Sequence, residues 1–160
     1  MILVAGIGNI FLGDDAFGSH VARRMMERSI APNVRVVDFG IRGLGLAYAL
    51  TEGYDALMIV DTFARGGEAG TLYVVEPDVN EIDRAVEGLE AHAMDPGRIL
   101  ALARSMGAKL QNVLIVGCEP ETFEPNEDME LSPRVAAAVD PAIEIIQSLV
   151  EEFRPKEAIA

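Results

Sequence analysis

A chain of 160 residues, of which 50% are apolar, is long enough to fold as one domain around a sizeable hydrophobic core. Its 26 acidic residues outnumber its 13 basic residues, and the net charge of −13 disfavours binding to nucleic acids and to anionic membrane surfaces. The single cysteine, Cys118, excludes an internal disulfide framework and a zinc site built on cysteines.

The N-terminus has neither the basic region nor the long apolar run of a signal peptide or a membrane-spanning helix. We therefore expect a cytoplasmic protein with one domain over residues 1–154 and a frayed tail over residues 155–160. Because the sequence shows no exposed heptad pattern and no basic interaction tail, we also expect a monomer.

The first apolar run, residues 2–7, predicts a strand that is buried on both faces and followed by a glycine-rich turn. Asp14 and Asp15 then precede an apolar helical face, so one aspartate is expected to cap the first helix and the other to be free for chemistry. A capped turn with no further role is the simpler interpretation. A dinucleotide site is disfavoured, because Phe11 replaces the third glycine of that motif and two carboxylates repel a pyrophosphate.

The following segments alternate between strands and helices. The first helix should end near residues 28–29, and it is followed by a strand at 34–39, a short helix at 43–50 and a strand at 56–60. Residues 63–70 are too few for a crossover helix. The strand predicted at residues 71–75 should therefore form an antiparallel hairpin with the third strand.

The second half of the chain continues this alternation after an ambiguous segment at residues 77–89. Asp95, which is followed by proline, is a typical helix start, and residues 113–116 predict a fifth buried strand. Ser132–Pro133 begins a last helix, which Pro141 should bend. Together the segments predict a three-layer α/β/α sandwich with a mixed, mostly parallel five-stranded sheet and one antiparallel hairpin.

Ligands of such sheets bind beyond the carboxyl ends of the strands. Six ionisable side chains follow predicted strands at that edge: Asp14, Asp15, Asp38, Asp61, Cys118 and Glu119. His92 lies on the loop that enters the helix starting at Asp95. A histidine and two or three aspartates can bind a divalent metal, and paired carboxylates can instead share one proton and act in general acid–base catalysis. Both interpretations stay open on the residues alone.

Simpler roles exist for several of these residues. Asp61 can cap the turn after its strand, and His92 can be a surface or capping residue. His20 lies inside the first helix beside core-facing Val21, which indicates a structural role. Cys118 follows a buried strand and has no basic neighbour in sequence, so an inert thiol is expected rather than a protease nucleophile. The chain also lacks the Gly-x-Ser-x-Gly sequence of one large class of serine hydrolases.

Several short motifs occur in order along the chain, from residue 1 to about residue 150. They are Gly6-Ile7-Gly8-Asn9 with Gly13-Asp14-Asp15 and Gly18, Asp38-Phe39-Gly40, Ile59-Val60-Asp61, His92, and Gly117-Cys118-Glu119-Pro120 with Leu131-Ser132-Pro133. In this order and at these spacings the chain resembles the hydrogenase maturation proteases. These are small cytoplasmic endopeptidases that remove a C-terminal peptide from the precursor of the [NiFe]-hydrogenase large subunit.

The resemblance implies a site made of an acid in the first loop, an aspartate after the third strand and a histidine in a later loop. The corresponding residues are Asp15, Asp61 and His92, which the resemblance assigns to both cleavage and metal sensing. It also implies that nickel arrives with the substrate and that no organic cofactor takes part. Some members carry glutamate where Asp15 stands, so this side chain is one methylene shorter. Asp38 resembles a supporting residue of the family.

The resemblance leaves two mechanisms open. Nickel held by Asp15, Asp61 and His92 positions or polarises the scissile carbonyl or a water; alternatively, the metal serves only recognition and a carboxylate acts as general base, as in aspartic proteases. Two other classes of protein remain as alternatives. One is a non-catalytic, metal-dependent module that binds the precursor, and the other is a small-molecule hydrolase with a closed apolar pocket at this edge.

Overall fold

A mixed five-stranded sheet forms the centre of the computed structural model, which describes residues 1–81 and 95–153. The strands are β1 (Ile2–Ile7), β2 (Val34–Gly40), β3 (Ala56–Thr62), β4 (Leu72–Val75) and β5 (Val113–Cys118). Their order across the sheet is β2-β1-β3-β5-β4. The first four strands in this order run parallel to one another, and β4 runs antiparallel to β5. The predicted mixed, mostly parallel sheet is thereby confirmed.

The predicted hairpin between the third and fourth strands is wrong, because β5 lies between them. Leu72 of β4 pairs with Cys118 of β5, and the pairing continues to Val75 opposite Ile115. The connection after β3 is short, but it has only to pass one intervening strand, a span of about 10 Å. Burial accounts for this order: every residue from Ala56 to Val60 is buried, as in an interior strand, whereas β4 is half-exposed, as at a sheet edge.

Helices cover both faces of the sheet, as expected for three layers. They are a 3-10 turn (Gly13–Ala16), α1 (Phe17–Met26), α2 (Gly43–Leu50), α3 (Pro96–Ser105), α4 (Pro133–Ala136) and α5 (Val139–Glu152). One core packs α1 and α5 against the sheet, and a second core packs α2 and α3 against the opposite face. None of the helices in the described part of the chain is long and apolar enough to cross a lipid bilayer.

Two helix boundaries differ from the prediction. Helix α1 ends at Met26, two residues before the expected position. The last helix is two helices rather than one bent helix, and Pro141 falls in the first turn of α5. A proline is tolerated there, because the first backbone N–H groups of a helix have no partner within the helix. The break therefore precedes the proline instead of occurring at it.

Helix α1 rests directly on the sheet through glycine. A Cβ atom on Gly18 would lie 2.1 Å from the carbonyl oxygen of Val60, and a Cβ on Gly6 would lie 2.3 Å from that of Gly18. No larger residue fits either position without moving the helix. This contact fixes the start of α1, and with it the preceding 3-10 turn, at the carboxyl edge of β1 and β3.

Candidate active site

Asp15 and Asp61 converge on one hydroxyl group. The Oγ1 atom of Thr62 lies 3.4 Å from Oδ1 of Asp15 and 3.5 Å from Oδ1 of Asp61, and its proton can be donated to only one of them at a time. Thr62 is the last residue of β3, and Asp15 belongs to the 3-10 turn. The structure thus brings two of the three predicted site residues together at the carboxyl edge of the sheet.

The first loop holds Asp15 in place through its backbone. The N–H group of Asn9 donates to Oδ2 of Asp15 over 2.9 Å, and the N–H of Gly8 donates to the carbonyl of Gly40 over 3.0 Å. Gly8 has a φ of +140°, and a Cβ there would lie 1.9 Å from the carbonyl oxygen of Asp15. Only glycine permits this close approach. Asn9 also stabilises the loop, because its side chain accepts from the N–H of Phe11.

Burial makes the carboxyl group of Asp61 an unusually weak acid. Desolvation raises its pKa well above the ordinary value of aspartate, and the negative charges of Asp15 and Asp95 raise the pKa further. The N–H and hydroxyl of Thr62 stabilise the charged form and oppose this effect. The structure thus places a carboxyl group with a raised pKa one hydroxyl away from a second carboxyl group, an arrangement that suits general acid–base catalysis.

The third predicted site residue, His92, lies outside the residues that the structure describes. Within residues 1–81 and 95–153, no group of three or more histidine, cysteine or acidic side chains could hold a metal ion. Asp15 and Asp61 supply carboxylate oxygens, which suit a divalent cation in chemical type, but they are two ligands and not a complete set. The described residues therefore include the two carboxylates of the predicted site. The metal site, which needs His92, stays a prediction.

A cavity of about 300 Å³ opens beside Thr62. Its walls include Phe63, Pro96, Leu100 and Ile115, and Asp95 lies at its margin. The walls formed by residues 1–81 and 95–153 leave it open to solvent, unlike the closed apolar pocket expected for a small-molecule hydrolase. A larger recess of about 700 Å³ lies between the α1–β2 connection and α5, away from both aspartates. Of these two cavities in the described part of the chain, the smaller adjoins the candidate site.

Comparison with known proteins shows the family of the chain. The family model described as HycI, hydrogenase maturation protease, matches residues 19–149. The chain belongs to the hydrogenase maturation protease family. It is 32% identical over 148 residues to a putative hydrogenase maturation protease of Methanocaldococcus jannaschii, a match that covers 91% of this chain and 93% of the relative. The resemblance found in the sequence motifs is thereby confirmed.

The similarity extends to a relative and a solved structure from Escherichia coli. The hydrogenase 2 maturation protease is 29% identical over 163 residues, which cover 99% of this chain and 98% of the relative. The solved structure of the hydrogenase-maturating endopeptidase HybD superposes with a TM-score of 0.79 at 28% identity, covering 94% of this chain and 92% of HybD. The chain is therefore a hydrogenase maturation protease in fold and in class of activity.

The first aspartate of this maturation protease has a structural role. Asp14 is fully buried and accepts hydrogen bonds from the N–H groups of Glu121 and Thr122 and from both the N–H and the hydroxyl of Ser132. Burial alone would raise its pKa, but these hydrogen bonds outweigh burial and lower it. Neither Asp14 nor Asp15 caps α1, whose N-cap residue, Ala16, makes no side-chain cap. The expectation of an aspartate cap is wrong.

Asp38 makes contacts that fit the supporting role suggested by its resemblance. It accepts from the hydroxyl of Ser19 over 2.7 Å, from the N–H of Gly40 over 3.0 Å and from Nε of Arg23 over 2.8 Å. These bonds fix the end of β2, and the carbonyl of Gly40 in turn accepts from the loop that holds Asp15. Asp38 is therefore linked to the loop of Asp15 through the backbone of Gly40.

The cysteine of the protease is not a nucleophile. Cys118 is fully buried, and desolvation, together with the charges of Asp14 and Glu119, raises its pKa to about 12. The group is therefore a neutral thiol at physiological pH, as the sequence predicted. His20 is structural as well, since its Nε2 lies 3.0 Å from the carbonyl oxygen of Met129.

Sequence reasoning missed two residues of the site. Thr62 joins the two aspartates, and Asp95 adds negative charge near Asp61 while its side chain accepts from the N–H of Gly97 at the start of α3. Asp95 was predicted correctly as a helix cap, but its nearness to Asp61 was not. The only signal for Thr62 was its place directly after Asp61 at a strand end, where polar residues commonly face ligands.

Proposed function

We propose that this protease removes the C-terminal peptide of a nickel-loaded [NiFe]-hydrogenase large-subunit precursor, and that the nickel is carried by the substrate. The convergence of Asp15 and Asp61 on Thr62 is the observation that carries the proposal. A hydrolytic site needs a group that accepts a proton from water and a group that returns one to the leaving amine. Asp61, a carboxyl group with a raised pKa that shares the Thr62 hydroxyl with Asp15, can accept the proton and return it.

We assign Asp15, Asp61 and, by family resemblance, His92 to cleavage and to contact with the substrate's nickel. A nickel ion bound there would act as a Lewis acid on the scissile carbonyl or on a water. The residues of the chain perform the remaining steps. Asp61 holds or releases the proton, and the negative charge of Asp15 raises the pKa of Asp61. Thr62 orients both carboxyl groups. In the second scheme the metal serves only recognition, and the paired carboxyls act alone as in aspartic proteases.

Further parts of the proposal concern the surroundings of the reaction. The protease acts in the cytoplasm as a monomer and needs no organic cofactor. The partner is a protein chain, and the open cavity beside Thr62 suits an extended peptide better than a small molecule. The net charge of −13 is consistent with a partner other than nucleic acid.

The test follows the mass of the large subunit after incubation with nickel-loaded and metal-free precursor in parallel. We expect the loss of a C-terminal peptide only from the loaded precursor. Asp61→Asn should abolish the cleavage. Asp55→Asn should leave the cleavage unchanged, because Asp55 is exposed and lies at the amino ends of the parallel strands. Stable binding of the loaded precursor without any shortened product would refute the proposal and favour the metal-dependent binding module.

A further inference from the structure

The loop after β3 is built around a buried carboxylate. Glu119 is 4% exposed, and it accepts from the N–H groups of Arg65 and Gly66 over 2.7 and 2.8 Å and from the hydroxyl of Tyr73 over 3.3 Å. The N–H of Phe63 also bonds the carbonyl of Cys118 over 2.9 Å. Charge-assisted bonds of this kind are strong, so the backbone at Arg65 is fixed although the residue itself is exposed.

Two aromatic rings orient the side chain of Arg65. Its guanidinium carbon lies 5.0 Å from the ring centre of Phe63 and 5.4 Å from that of Tyr73. The two rings meet edge to face, with their centres 6.0 Å apart. Such cation–π contacts hold a guanidinium in place without occupying its N–H donors. The two rings therefore favour one placement of the guanidinium and leave its N–H donors available.

Arg65 has no carboxylate partner in the described part of the chain. None of the ion pairs there includes Arg65, and no side-chain N–H of Arg65 donates to an acceptor among the described residues. Aromatic rings, rather than an acidic side chain, therefore place its guanidinium. Its five donors in a rigid fork match the geometry of a carboxylate.

The position of Arg65 relates it to the paired carboxyls. It follows Thr62 by three residues, and Phe63, on which it stacks, lines the cavity beside Thr62. Asp15 and Asp95 give this edge a negative charge that repels an acidic peptide segment. A cation at this place offsets that repulsion for a substrate that carries a carboxylate at the matching position.

We propose that Arg65 is a specificity residue that binds a carboxylate of the substrate chain close to the cleaved bond. The inference rests on the proposed endopeptidase function and adds a feature of its substrate. The carboxylate is either an acidic side chain or the free C-terminus of the peptide that is removed. Glu119 acts as a positioning residue, because it holds the backbone from which Arg65 extends.

The test combines steady-state cleavage of nickel-loaded precursor with equilibrium binding of the same precursor. In Arg65→Gln we expect KM and Kd to rise about tenfold, the loss of one charge-assisted contact, with kcat nearly unchanged. Arg65→Lys keeps the charge and should recover part of the affinity. Lys109→Gln is the matched control, because it removes an exposed cation that precedes β5 at the opposite edge of the sheet.

Two altered precursors distinguish the sources of the carboxylate. One replaces the acidic side chains around the cleaved bond by amides, and the other extends the C-terminus by neutral residues. The altered precursor that lacks the true ligand should bind the native protease as weakly as the unaltered precursor binds Arg65→Gln. Combining that precursor with Arg65→Gln should cause no further loss of affinity.

Several outcomes would overturn the inference. An unchanged Kd and KM in Arg65→Gln, or a loss equal to that of Lys109→Gln, would show that Arg65 serves only the loop. Full dependence on Arg65 with both altered precursors would show that its ligand is not a substrate carboxylate. These results leave the endopeptidase function intact, whereas failure of the unaltered protein to cleave or bind the precursor would refute the proposed function itself.

Discussion

The side chain of Asp14 and residue Ser132 are joined by two hydrogen bonds of 2.8 Å, one from the N–H and one from the hydroxyl of Ser132, across 118 residues of sequence. Together with the bonds from Glu121 and Thr122, they tie the long acidic loop after β5 to the start of α1. A fully buried carboxylate with four donors is a structural anchor, and its effects on stability and on activity can be separated.

Asp14→Asn should lower the free energy of unfolding by about 3 kcal/mol, because an amide places N–H groups against donors and weakens charge-assisted bonds. Since the fold lowers the pKa of Asp14, its contribution is present above the pKa of the unfolded chain and is lost as pH falls through the folded value. Urea unfolding between about pH 2 and 7 should show less acid sensitivity in the variant than in the native protein. Equal acid sensitivity in both proteins would contradict the anchoring role.

Asp61→Asn should abolish cleavage and yet raise the melting temperature at neutral pH. The fold raises the pKa of Asp61, so the folded state binds more protons than the unfolded state, and the stability of the native protein falls as pH rises above the unfolded pKa. The neutral amide avoids this cost. Calorimetry at pH 4 and 7 checks the sign, because the gain should shrink at the lower pH; a variant that is less stable at pH 7 would contradict the desolvation of Asp61.

Thr62→Val should lower the cleavage rate about tenfold, since it removes the hydroxyl shared by the two carboxyl groups but keeps the shape of the side chain. The Thr62 hydroxyl lowers the pKa of Asp61, so its loss should move the corresponding limb of the pH–rate profile to higher pH. Thr62→Ser keeps the hydroxyl and should keep the profile. Identical profiles for the valine variant and the native protein would exclude a role of Thr62 in tuning Asp61.

Cys118→Ala should leave the rate of precursor cleavage unchanged and lower the free energy of unfolding by about 1 kcal/mol, as expected for a small buried residue. The native protein should also resist alkylation by iodoacetamide under folded conditions, because its thiol is buried and its pKa is raised to about 12. Mass spectrometry after alkylation, with and without denaturant, provides the measurement. Loss of cleavage in the alanine variant would restore the thiol mechanism.

Local patterns were sufficient to predict most elements of the fold but not their long-range partners. Apolar runs predicted all five strands, yet the place of β4 depended on pairing with β5, some forty positions further along the chain. Asp14 and Asp15 carry the same local signal, and only the donors of Glu121, Thr122 and Ser132 determine which one is buried. Contacts between residues far apart in the chain leave no periodic pattern in the sequence, so they cannot be predicted in this way.

The site residues also differ in how far local sequence could predict them. Asp15 and Asp61 were predicted from strand ends and from family resemblance, and the structure brings them to one hydroxyl. His92 lies outside the described residues, as does the tail predicted at residues 155–160, so both remain predictions. Arg65 escaped notice because an arginine in a glycine-rich loop is unremarkable until the rings of Phe63 and Tyr73 are known to surround it.

The insertion of β5 between β3 and β4 also constrains how the chain assembles during synthesis. The first three strands and α1 and α2 can form a parallel unit as soon as β3 has left the ribosome, whereas β4 has no neighbour until Val113–Cys118 emerges. A nascent chain ending near residue 81 therefore presents the unpaired edge of β3. Native β4 cannot pair until β5 has emerged, and a chain stalled before β5 exposes an unpaired strand edge that favours aggregation.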